Sequence, residues 1–338
     1  MSEHLFPYKW WLSDGYPAKG IENHQSTIFG TFVCGGGSTM GYKLAGFHHL
    51  GGVEIDPNVA DVYKHNNHPE HLFVQDLREF NKRQDLPAEL YNLDMLDGSP
   101  PCSTFSMAGK REAGWNKEKR FAEGQVLQKL DDLVFVYCDT IAKLQPKTFL
   151  LENVKGLIAG NAKSYVVRIL KRLKEAGYDA QVFCLNAAVM GVPQARERTF
   201  IIGHKSEYKL PKLVLNFNEE QIPFKDIADM SDKSRCLTDL YTEYWQHAKP
   251  GESMGAFKSI KKLHPDRPCN TLVTHRDASP FAPRWINDIE TKLAGTFPVD
   301  YEVQNKVDVA WLCGMSVPPV MTAQIAWQVY QQWIKKLK

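Results

Sequence analysis

The sequence predicts an α/β fold in which a mostly parallel, doubly wound sheet carries helices on both faces. Short apolar strand patterns alternate with amphipathic helical patterns through residues 27–203. This alternation favours parallel strands, because each return crossover is then made by a helix. The chain has 338 residues, 43% of them hydrophobic, which is enough to bury a substantial core.

Predicted strands and helices follow one another in a regular order. Apolar runs predict buried strands at Thr27–Cys34, Gly51–Ile55, Leu93–Asp97, Thr148–Glu152 and Arg198–Gly203. Apolar residues at spacings of three and four predict helices over Val126–Leu144 and Ser164–Ala176, and Gly177 ends the second of these. Regular structure is expected to return at Pro268–Val273 and to end in an apolar helix over about Val320–Leu337.

The pattern breaks in one segment, which suggests the domain organisation. Residues 204–265 are polar, mixed in charge and poorly periodic. We therefore predict a large domain from residues 1–203 and 266–338, and a small domain from residues 204–265. Residues 1–25 are rich in aromatic side chains, and we expect them to form a strap over the large domain. An added binding surface is the less favoured alternative for this segment.

Composition limits the class of protein. The net charge of +2 neither requires nor excludes a nucleic-acid partner. The 7 cysteines are odd in number and none shows a C-x-x-C spacing, so we expect no disulfide framework and a reducing, cytoplasmic location. No apolar run is expected to approach the length of a membrane span. His65, His68 and His71 lack neighbouring Cys or acidic ligands, so we expect no metal site there.

A glycine-rich loop follows the first predicted strand. In Val33–Gly41, residues Gly35 and Gly37 would let the backbone approach a ligand at the start of a helix, where negative charge is favoured. The dinucleotide fingerprint G-x-G-x-x-G fails, because Met40 stands at its last glycine. The loop therefore predicts a nucleotide site of another kind, and the alternative is an ordinary tight turn.

Two acidic residues follow the next two strands. Glu54 ends the second strand, where its carboxylate could accept hydrogen bonds from both hydroxyls of a ribose, and Ile55 could pack on an adenine face. Asp76 is expected to close a third strand and to accept from an adenine amino group. With the glycine loop, these residues predict an adenosine-containing cofactor. The alternative is that both acids are surface carboxylates.

Cys102 is the candidate nucleophile. It follows Pro100 and Pro101, which stiffen its approach, and it comes just past a predicted strand at the carboxyl edge of the sheet, where ligands bind in such folds. A lone cysteine is more often a buried and inert residue. The polar loop of glycine and serine around Cys102 favours a reactive thiol instead.

A carboxylic acid and two arginines complete the candidate site. Glu152 ends an apolar strand, where a carboxylate is costly unless it is paired or used. Arg196 and Arg198 alternate into the following predicted strand, so either could be its partner. A purely structural Glu–Arg pair is the alternative reading.

These motifs together resemble one family. Their order along the chain is the glycine loop, Glu54-Ile55-Asp56, Asp76, Pro100-Pro101-Cys102, Glu152-Asn153-Val154, Gln194-x-Arg196-x-Arg198 and Gly314-Met315-Ser316-Val317-Pro318. In this order the chain resembles the cytosine-C5 DNA methyltransferases of bacterial or phage type, which use S-adenosylmethionine. The resemblance implies a Rossmann-like S-adenosylmethionine-dependent methyltransferase fold, with a target-recognition domain at residues 204–265.

The resemblance also implies roles for single residues. Cys102 would attack C6 of a flipped cytosine, Glu152 would hold N3 and the exocyclic amine, and Arg198 would bind O2. Arg196 would support the loop or contact a phosphate. The cofactor-binding residues would be Gly35, Gly37, Glu54, Ile55, Asp76, Pro101 and Ser316. The DNA-contacting residues would be Ser103, Lys110, Arg111, Lys119 and Arg120.

Partners and alternatives follow from the same resemblance. The expected partner is double-stranded DNA, and the enzyme is expected to be a monomer. It would either protect DNA against a restriction endonuclease that acts on the same sequence or act as an orphan modifier without such a partner. A transfer-RNA methyltransferase of the same fold is one alternative. The other is a scaffold that binds the cofactor without turnover. Its support is Met315, which stands where the family usually has the Asn that helps bind the cofactor's amino-acid end.

Overall fold

The computed structural model describes residues 4–101, 133–158, 163–255, 257–304 and 307–338. A seven-stranded sheet lies at its centre, in the order β3-β2-β1-β4-β5-β7-β6. Strands β1 to β5 are parallel, and β7 runs antiparallel to both β5 and β6. The predicted α/β fold with a mostly parallel sheet is therefore confirmed. The strands are β1 (Thr27–Thr31), β2 (His48–Glu54), β3 (His71–Val74), β4 (Met95–Gly98), β5 (Thr148–Val154), β6 (Tyr178–Asn186) and β7 (Glu197–Lys205).

Helices cover both faces of the sheet. They are α1 (Gly37–Leu44), α2 (Pro57–Asn67), α3 (Leu77–Lys82), α4 (Leu133–Leu144), α5 (Lys163–Glu175), α6 (Asp239–His247), α7 (Asp288–Ala294), α8 (Val309–Met315) and α9 (Pro319–Gln332). On one face α1 packs against α9, and the buried core there includes Met95 and Leu150 of the sheet. On the other face α4 packs against α3 and α5, over Leu96 and Leu151. The two cores thus take alternate residues of the same strands.

Local structure differs from the prediction at several places. Strand β1 ends at Thr31 rather than Cys34, because Phe32 and Cys34 adopt left-handed φ angles of 57° and 46° that turn the chain into the glycine loop. Strand β6 was missed, since its half-exposed pattern at the sheet edge lacks a continuous apolar run. Residues 268–273 form no regular strand, and their pairing is an isolated bridge between Cys269 and Gln194.

The segment 204–265 divides between two cores. Leu213, Ile222, Phe224 and Ile227 are buried in the main core beside α9. A separate cluster joins Leu237, Ala248, Met254 and Ala278, with α6 and a hairpin of β8 (Ser253–Met254) and β9 (Phe257–Lys261) around it. We call residues 237–263 and 278–285 the small lobe. The division at residues 203 and 265 stays a prediction.

Residues 4–25 pack against residues near 296–300, which are far away in the sequence. Phe6 and Trp10 are buried in the main core. The Trp10 indole N–H donates to the Thr296 carbonyl at 2.9 Å. The backbone N–H groups of Leu12 and Ser13 donate to the Asp300 carboxylate at 2.7 and 3.1 Å. These hydrogen bonds therefore hold residues 10–13 against residues 296–300.

Within the described ranges, one helical stretch is long and apolar enough to cross a membrane by length and composition. It is Val309–Lys336, with a mean hydropathy of 1.3, so the expectation that no run would reach this threshold was too strong. However, 89% of its apolar window is buried inside the protein, as in the core helix of a soluble fold. This stretch belongs to the core that α9 forms with α1.

Candidate active site

The carboxyl ends of the parallel strands meet at one edge of the sheet. Strands β1 and β4 are neighbours there. Strands β2 and β3 extend the sheet on the side of β1, and β5, β7 and β6 extend it on the side of β4. This is a topological switch point, where loops separate and leave a crevice for a ligand. The glycine loop follows β1 and Pro100–Pro101 follow β4, so the two predicted halves of the site meet at this point.

The glycine loop packs closely against the chain between α8 and α9. A Cβ atom on Gly35 would lie 2.7–2.9 Å from the side chain of Leu312, and one on Gly37 would lie 2.3 Å from the Val317 carbonyl oxygen. The Tyr301 hydroxyl donates to the Gly35 carbonyl at 2.6 Å. Ser316 is buried beside the loop. Packing against the main chain therefore requires glycine at residue 37 and disfavours a larger residue at 35. The same packing brings the predicted cofactor residues Gly35, Gly37 and Ser316 together.

Main-chain amides hold the Glu54 carboxylate at the end of β2. Its Oε2 accepts from the Cys34 N–H at 2.9 Å, and its Oε1 accepts from the Ile55 and Asp56 N–H groups at 2.8 and 3.0 Å. Burial raises the pKa of Glu54, and these hydrogen bonds oppose that rise. Each carboxylate oxygen has two lone pairs, so Oε2 can still accept from a ribose hydroxyl. The site therefore fits the adenosine part of the expected cofactor.

Asp76 is placed differently from the prediction that it closes a strand. Strand β3 ends at Val74, and Asp76 is the N-cap residue of α3. Its carboxylate accepts from the Arg78 backbone N–H at 2.7 Å and from the Arg78 guanidinium at 2.9 Å. Helix capping alone is thus a sufficient reason for an aspartate at residue 76. Its contact with an adenine amino group stays a prediction.

Glu152 and Arg198 form the ion pair that the sequence suggested. Glu152 of β5 lies opposite Phe200 of β7, and Arg198 is two residues further along on the same face. The Arg198 Nε atom is 3.1 Å from the Glu152 Oε1 atom, with the side chains 14% and 10% exposed. Burial lowers the pKa of Arg198, and the charge of Glu152 opposes this change. An acid and a fixed cation thus share one partly open site.

Arg196 is a buried link within the protein. It is 2% exposed, and its Nη1 donates to the Leu272 carbonyl at 3.3 Å and to the Gly314 carbonyl at 3.1 Å. Burial lowers the pKa of Arg196 to about 9, which leaves it protonated at neutral pH. Of the two predicted roles, support of the surrounding loops agrees with these contacts, whereas a phosphate could reach so buried a group only after rearrangement.

Other residues of the site had no role in the sequence-based prediction. The Asn153 side-chain amide donates to the Pro100 carbonyl at 3.1 Å and so fixes the chain just before Cys102. Asp97 is 4% exposed at the end of β4, and the Tyr42 hydroxyl donates to it at 2.9 Å. Asn153 belongs to the motif Glu152-Asn153-Val154. Its contact with Pro100 joins residues far apart in sequence, so the sequence alone gave no sign of this role.

Several predicted residues lie outside the described ranges. They are the nucleophile Cys102 and the DNA-contacting residues Ser103, Lys110, Arg111, Lys119 and Arg120. Pro101 is the last described residue before this gap. The assigned roles of all these residues stay predictions.

Cations in and near the small lobe have partners within the protein. Lys225 pairs with Asp266 at 2.8 Å, and Arg235 pairs with Asp288 at 2.9 Å. Lys262 is largely buried, with its ammonium 3.7 Å from the centre of a Trp245 ring. These contacts explain part of the basic character of the segment without nucleic acid.

Comparison with known proteins gives a consistent picture. Residues 27–262 match the sequence model of the family described as C-5 cytosine-specific DNA methylase. The Type II methyltransferase M.Sau96I of Staphylococcus aureus is 30% identical over 75% of this chain and 62% of its own length. The Type II methyltransferase M.FnuDI of Fusobacterium nucleatum is 31% identical over 67% of this chain and 57% of its own length. The chain thus spans about three fifths of these relatives.

Solved structures agree on the fold. A candidate DNA modification methyltransferase encoded within an E. coli prophage has a TM-score of 0.70 and 20% identity, covering 91% of this chain and 99% of that one. The DNMT2 mutant of Spodoptera frugiperda has a TM-score of 0.64 and 15% identity, covering 90% and 100%. At these identities the likeness shows the fold alone.

Proposed function

The chain belongs to the C-5 cytosine-specific DNA methylase family, and from this premise we propose that it methylates C5 of a cytosine in duplex DNA. The observation that carries the proposal is the Glu152–Arg198 pair, which lies at the sheet edge that also holds Glu54 and Pro100–Pro101. An acid, a fixed cation and a preceding thiol segment are the groups that attack on a pyrimidine ring requires. Because the ring must be reached from its face, the base has to leave the helix.

In the proposed reaction, the Cys102 thiolate adds to C6 of the flipped cytosine, and Glu152 supplies a proton to N3. Arg198, which lies 3.1 Å from Glu152, binds O2 and so holds the ring beside the acid. C5 then has the electron density of an enamine carbon and takes the methyl group. Loss of the C5 proton to a base, departure of the Cys102 thiolate and return of the N3 proton to Glu152 restore the aromatic ring and the free enzyme.

S-adenosylmethionine would supply the electrophilic methyl group. Glu54 would accept from its ribose, and Gly35, Gly37 and Ser316 would line the loop nearest to it. The fixed carboxylate of Glu54 and the packing of the glycine loop against Ser316 support this assignment. Pro101, Ile55 and Asp76 are the remaining proposed contacts. The DNA contacts from Ser103, Lys110, Arg111, Lys119 and Arg120 rest on the resemblance alone.

Double-stranded DNA is the proposed substrate, and the relatives named as Type II methyltransferases favour a role beside a restriction endonuclease of the same sequence specificity. The protein would act in the cytoplasm as a monomer. A direct test is bisulfite sequencing of host DNA after expression of the parent and of Cys102→Ala. We expect protected cytosines at one short sequence with the parent and none with the variant.

A second measurement tests the covalent step and the class of nucleic acid. The purified protein is incubated with labelled S-adenosylmethionine and either duplex DNA or total transfer RNA. We expect label in DNA, and a stable adduct with duplexes that carry 5-fluorocytosine at the mapped site. Label in transfer RNA alone would support the RNA alternative. Cofactor binding without transfer to either polymer would support the silent scaffold.

A further inference from the structure

A buried hydroxyl without a hydrogen-bond partner lies at the sheet edge that carries Glu152. It belongs to Ser99, the residue that follows β4. In the part of the chain that the structure describes, no group lies within hydrogen-bond distance of the Ser99 Oγ atom, and the atom is buried. A buried hydroxyl in this state costs free energy, and nearly all such groups in folded proteins have a partner. Because the described fold does not use this oxygen, a ligand of the site is the partner to consider.

Ser99 lies alongside Glu152 on the neighbouring strand. Strand β4 ends one residue before Ser99, at a residue that is in register with Leu151 of β5. One residue after Ser99, the Pro100 carbonyl accepts a hydrogen bond from the Asn153 side-chain amide at 3.1 Å. These contacts on either side align Ser99 with Glu152, which lies between Leu151 and Asn153.

The Ser99 side chain points to the same side of the sheet as Glu152. Asp97 faces α1, because its carboxylate accepts a hydrogen bond from that helix. Gly98 faces α4, because a Cβ atom there would collide with an aromatic ring of that helix. Ser99 precedes a proline, which favours an extended backbone, so the alternation continues and its side chain returns to the α1 side. Glu152 is also on this side, since it lies two residues beyond Leu150, which is buried in the core around α1 and α9.

Arg198 continues this row on the other side of Glu152. It lies on β7, which pairs with β5, and its Nε atom is 3.1 Å from the Glu152 Oε1 atom. The strand order β4-β5-β7 therefore presents a hydroxyl, a carboxyl and a guanidinium one after another along the edge. Neighbouring strands are about 4.8 Å apart, so a single flat ring can contact all three groups. Cytosine carries an amine, a ring nitrogen and a carbonyl in the same order, at N4, N3 and O2.

We propose that Ser99 is a further substrate-contacting residue, whose hydroxyl accepts a hydrogen bond from the exocyclic amine of the flipped cytosine. The inference rests on the proposed function, in which Arg198 binds O2 and Glu152 binds N3. The amine has two hydrogens, and Glu152 can accept from the one that lies on the N3 side. The other hydrogen is left for an acceptor on β4, and Ser99 supplies it. This contact gives the hydroxyl the partner that the described protein groups do not.

A second buried hydroxyl offers the matched control. Thr199 of β7 is fully buried, and its Oγ1 atom also has no partner in the described ranges. It lies next to Arg198 and opposite Asn153, so its side chain points to the other face of the sheet. Removing this hydroxyl should therefore leave recognition of the base unchanged.

The experiment measures the affinity for duplexes that carry either cytosine or 2-pyrimidinone, which lacks the amine, at the site mapped by bisulfite sequencing. All proteins carry Cys102→Ala, so that no covalent adduct forms, and S-adenosylhomocysteine is present. The useful quantity is the factor by which a second substitution weakens binding of each duplex, because the cost of unpairing the base cancels in it. For Ser99→Ala we expect a loss of roughly three- to tenfold with cytosine and none with 2-pyrimidinone. Thr199→Val should change neither affinity.

A second measurement does not depend on DNA. Ser99→Ala removes a buried hydroxyl that has no partner in the described protein, so its midpoint of unfolding in urea should be equal to that of the parent or higher. This result would also show that weaker binding of the cytosine duplex does not come from poor folding. A clearly lower midpoint would instead identify a structural role for the hydroxyl.

Three outcomes would overturn the inference while leaving the proposed function intact. Ser99→Ala could weaken binding of both duplexes equally, weaken neither, or lower the midpoint of unfolding in urea. A parent protein that methylates neither polymer would instead overturn the proposed function, and the inference with it. The two failures are thus separate observations.

Discussion

Glu54 and Glu152 end two parallel strands at the same edge of the sheet, yet they are held in different ways. Glu54 accepts three hydrogen bonds from main-chain N–H groups, which cannot leave without unfolding the loop. Glu152 instead contacts a side chain, the guanidinium of Arg198, so it can exchange this contact for a ligand while the main chain keeps its conformation. The difference suggests a fixed acceptor for binding and an adjustable acid for chemistry, whose proton and partner both change during the reaction.

The largest expected effect comes from removing the adjustable acid. Glu152→Gln should lower the single-turnover methylation rate by roughly 10²–10⁴-fold, because a carboxamide cannot supply the N3 proton. Affinity for the cofactor should change little. The matched control is Glu197→Gln on β7, the strand that pairs with β5, where the acid makes an exposed contact with Lys155. An unchanged rate in Glu152→Gln would remove its assigned role.

Substitutions of Arg196 and Arg198 should have different effects, the first mainly on stability and the second mainly on binding of the flipped base. Arg196→Met removes donors from the buried carbonyls of Leu272 and Gly314, so the free energy of unfolding should fall by about 2–4 kcal/mol in urea. Arg198→Met should cost less stability, because Arg198 is more exposed than Arg196, but it should weaken capture of the flipped base. Equal losses of stability in both variants would contradict this division.

The fixed acceptor should matter for cofactor affinity. Glu54→Gln leaves one oxygen where two now accept main-chain N–H groups, and it turns an NH₂ group toward donors. We expect binding of S-adenosylhomocysteine to weaken by roughly 10–100-fold in calorimetry, since hydrogen bonds to charged groups contribute about 1.5–3 kcal/mol. Glu70→Gln, an exposed acid next to His48, is the control. Equal affinities for Glu54→Gln and the parent would show that this acid does not contact the cofactor.

The smallest effect tests the packing of the glycine loop. Gly35→Ala would bring a methyl group within 2.7–2.9 Å of Leu312, a side chain that can move, and should destabilise the protein by about 1–2 kcal/mol. Leu312→Val in the same protein should recover part of that loss. Gly37→Ala meets the Val317 carbonyl at 2.3 Å and should cost more, with no such rescue. Thermal denaturation of the three proteins gives the order.

The sequence could predict features that depend on residues close together along the chain. Strand β5 follows from an apolar run, and the spacing of Arg196 and Arg198 predicted that one of the two would pair with Glu152 without showing which. The contacts of Arg196 reach residues 76 and 118 positions away, so its buried role could not be read from a local pattern. The sequence predicted Asp97 only as part of an apolar strand. That it lies on the same face of the sheet as Glu152 follows from the register between β4 and β5.

The contact between α1 and α9 has a consequence for how the protein is made. The glycine loop and α1 rest on residues 312–323, which the ribosome adds some 270 residues later. A nascent chain without that stretch would leave the apolar side of α1 uncovered. The proposed binding of a cofactor by the glycine loop therefore has to wait until residues 312–323 have been synthesised, and chains that stop before this stretch should be recognised by chaperones or proteases.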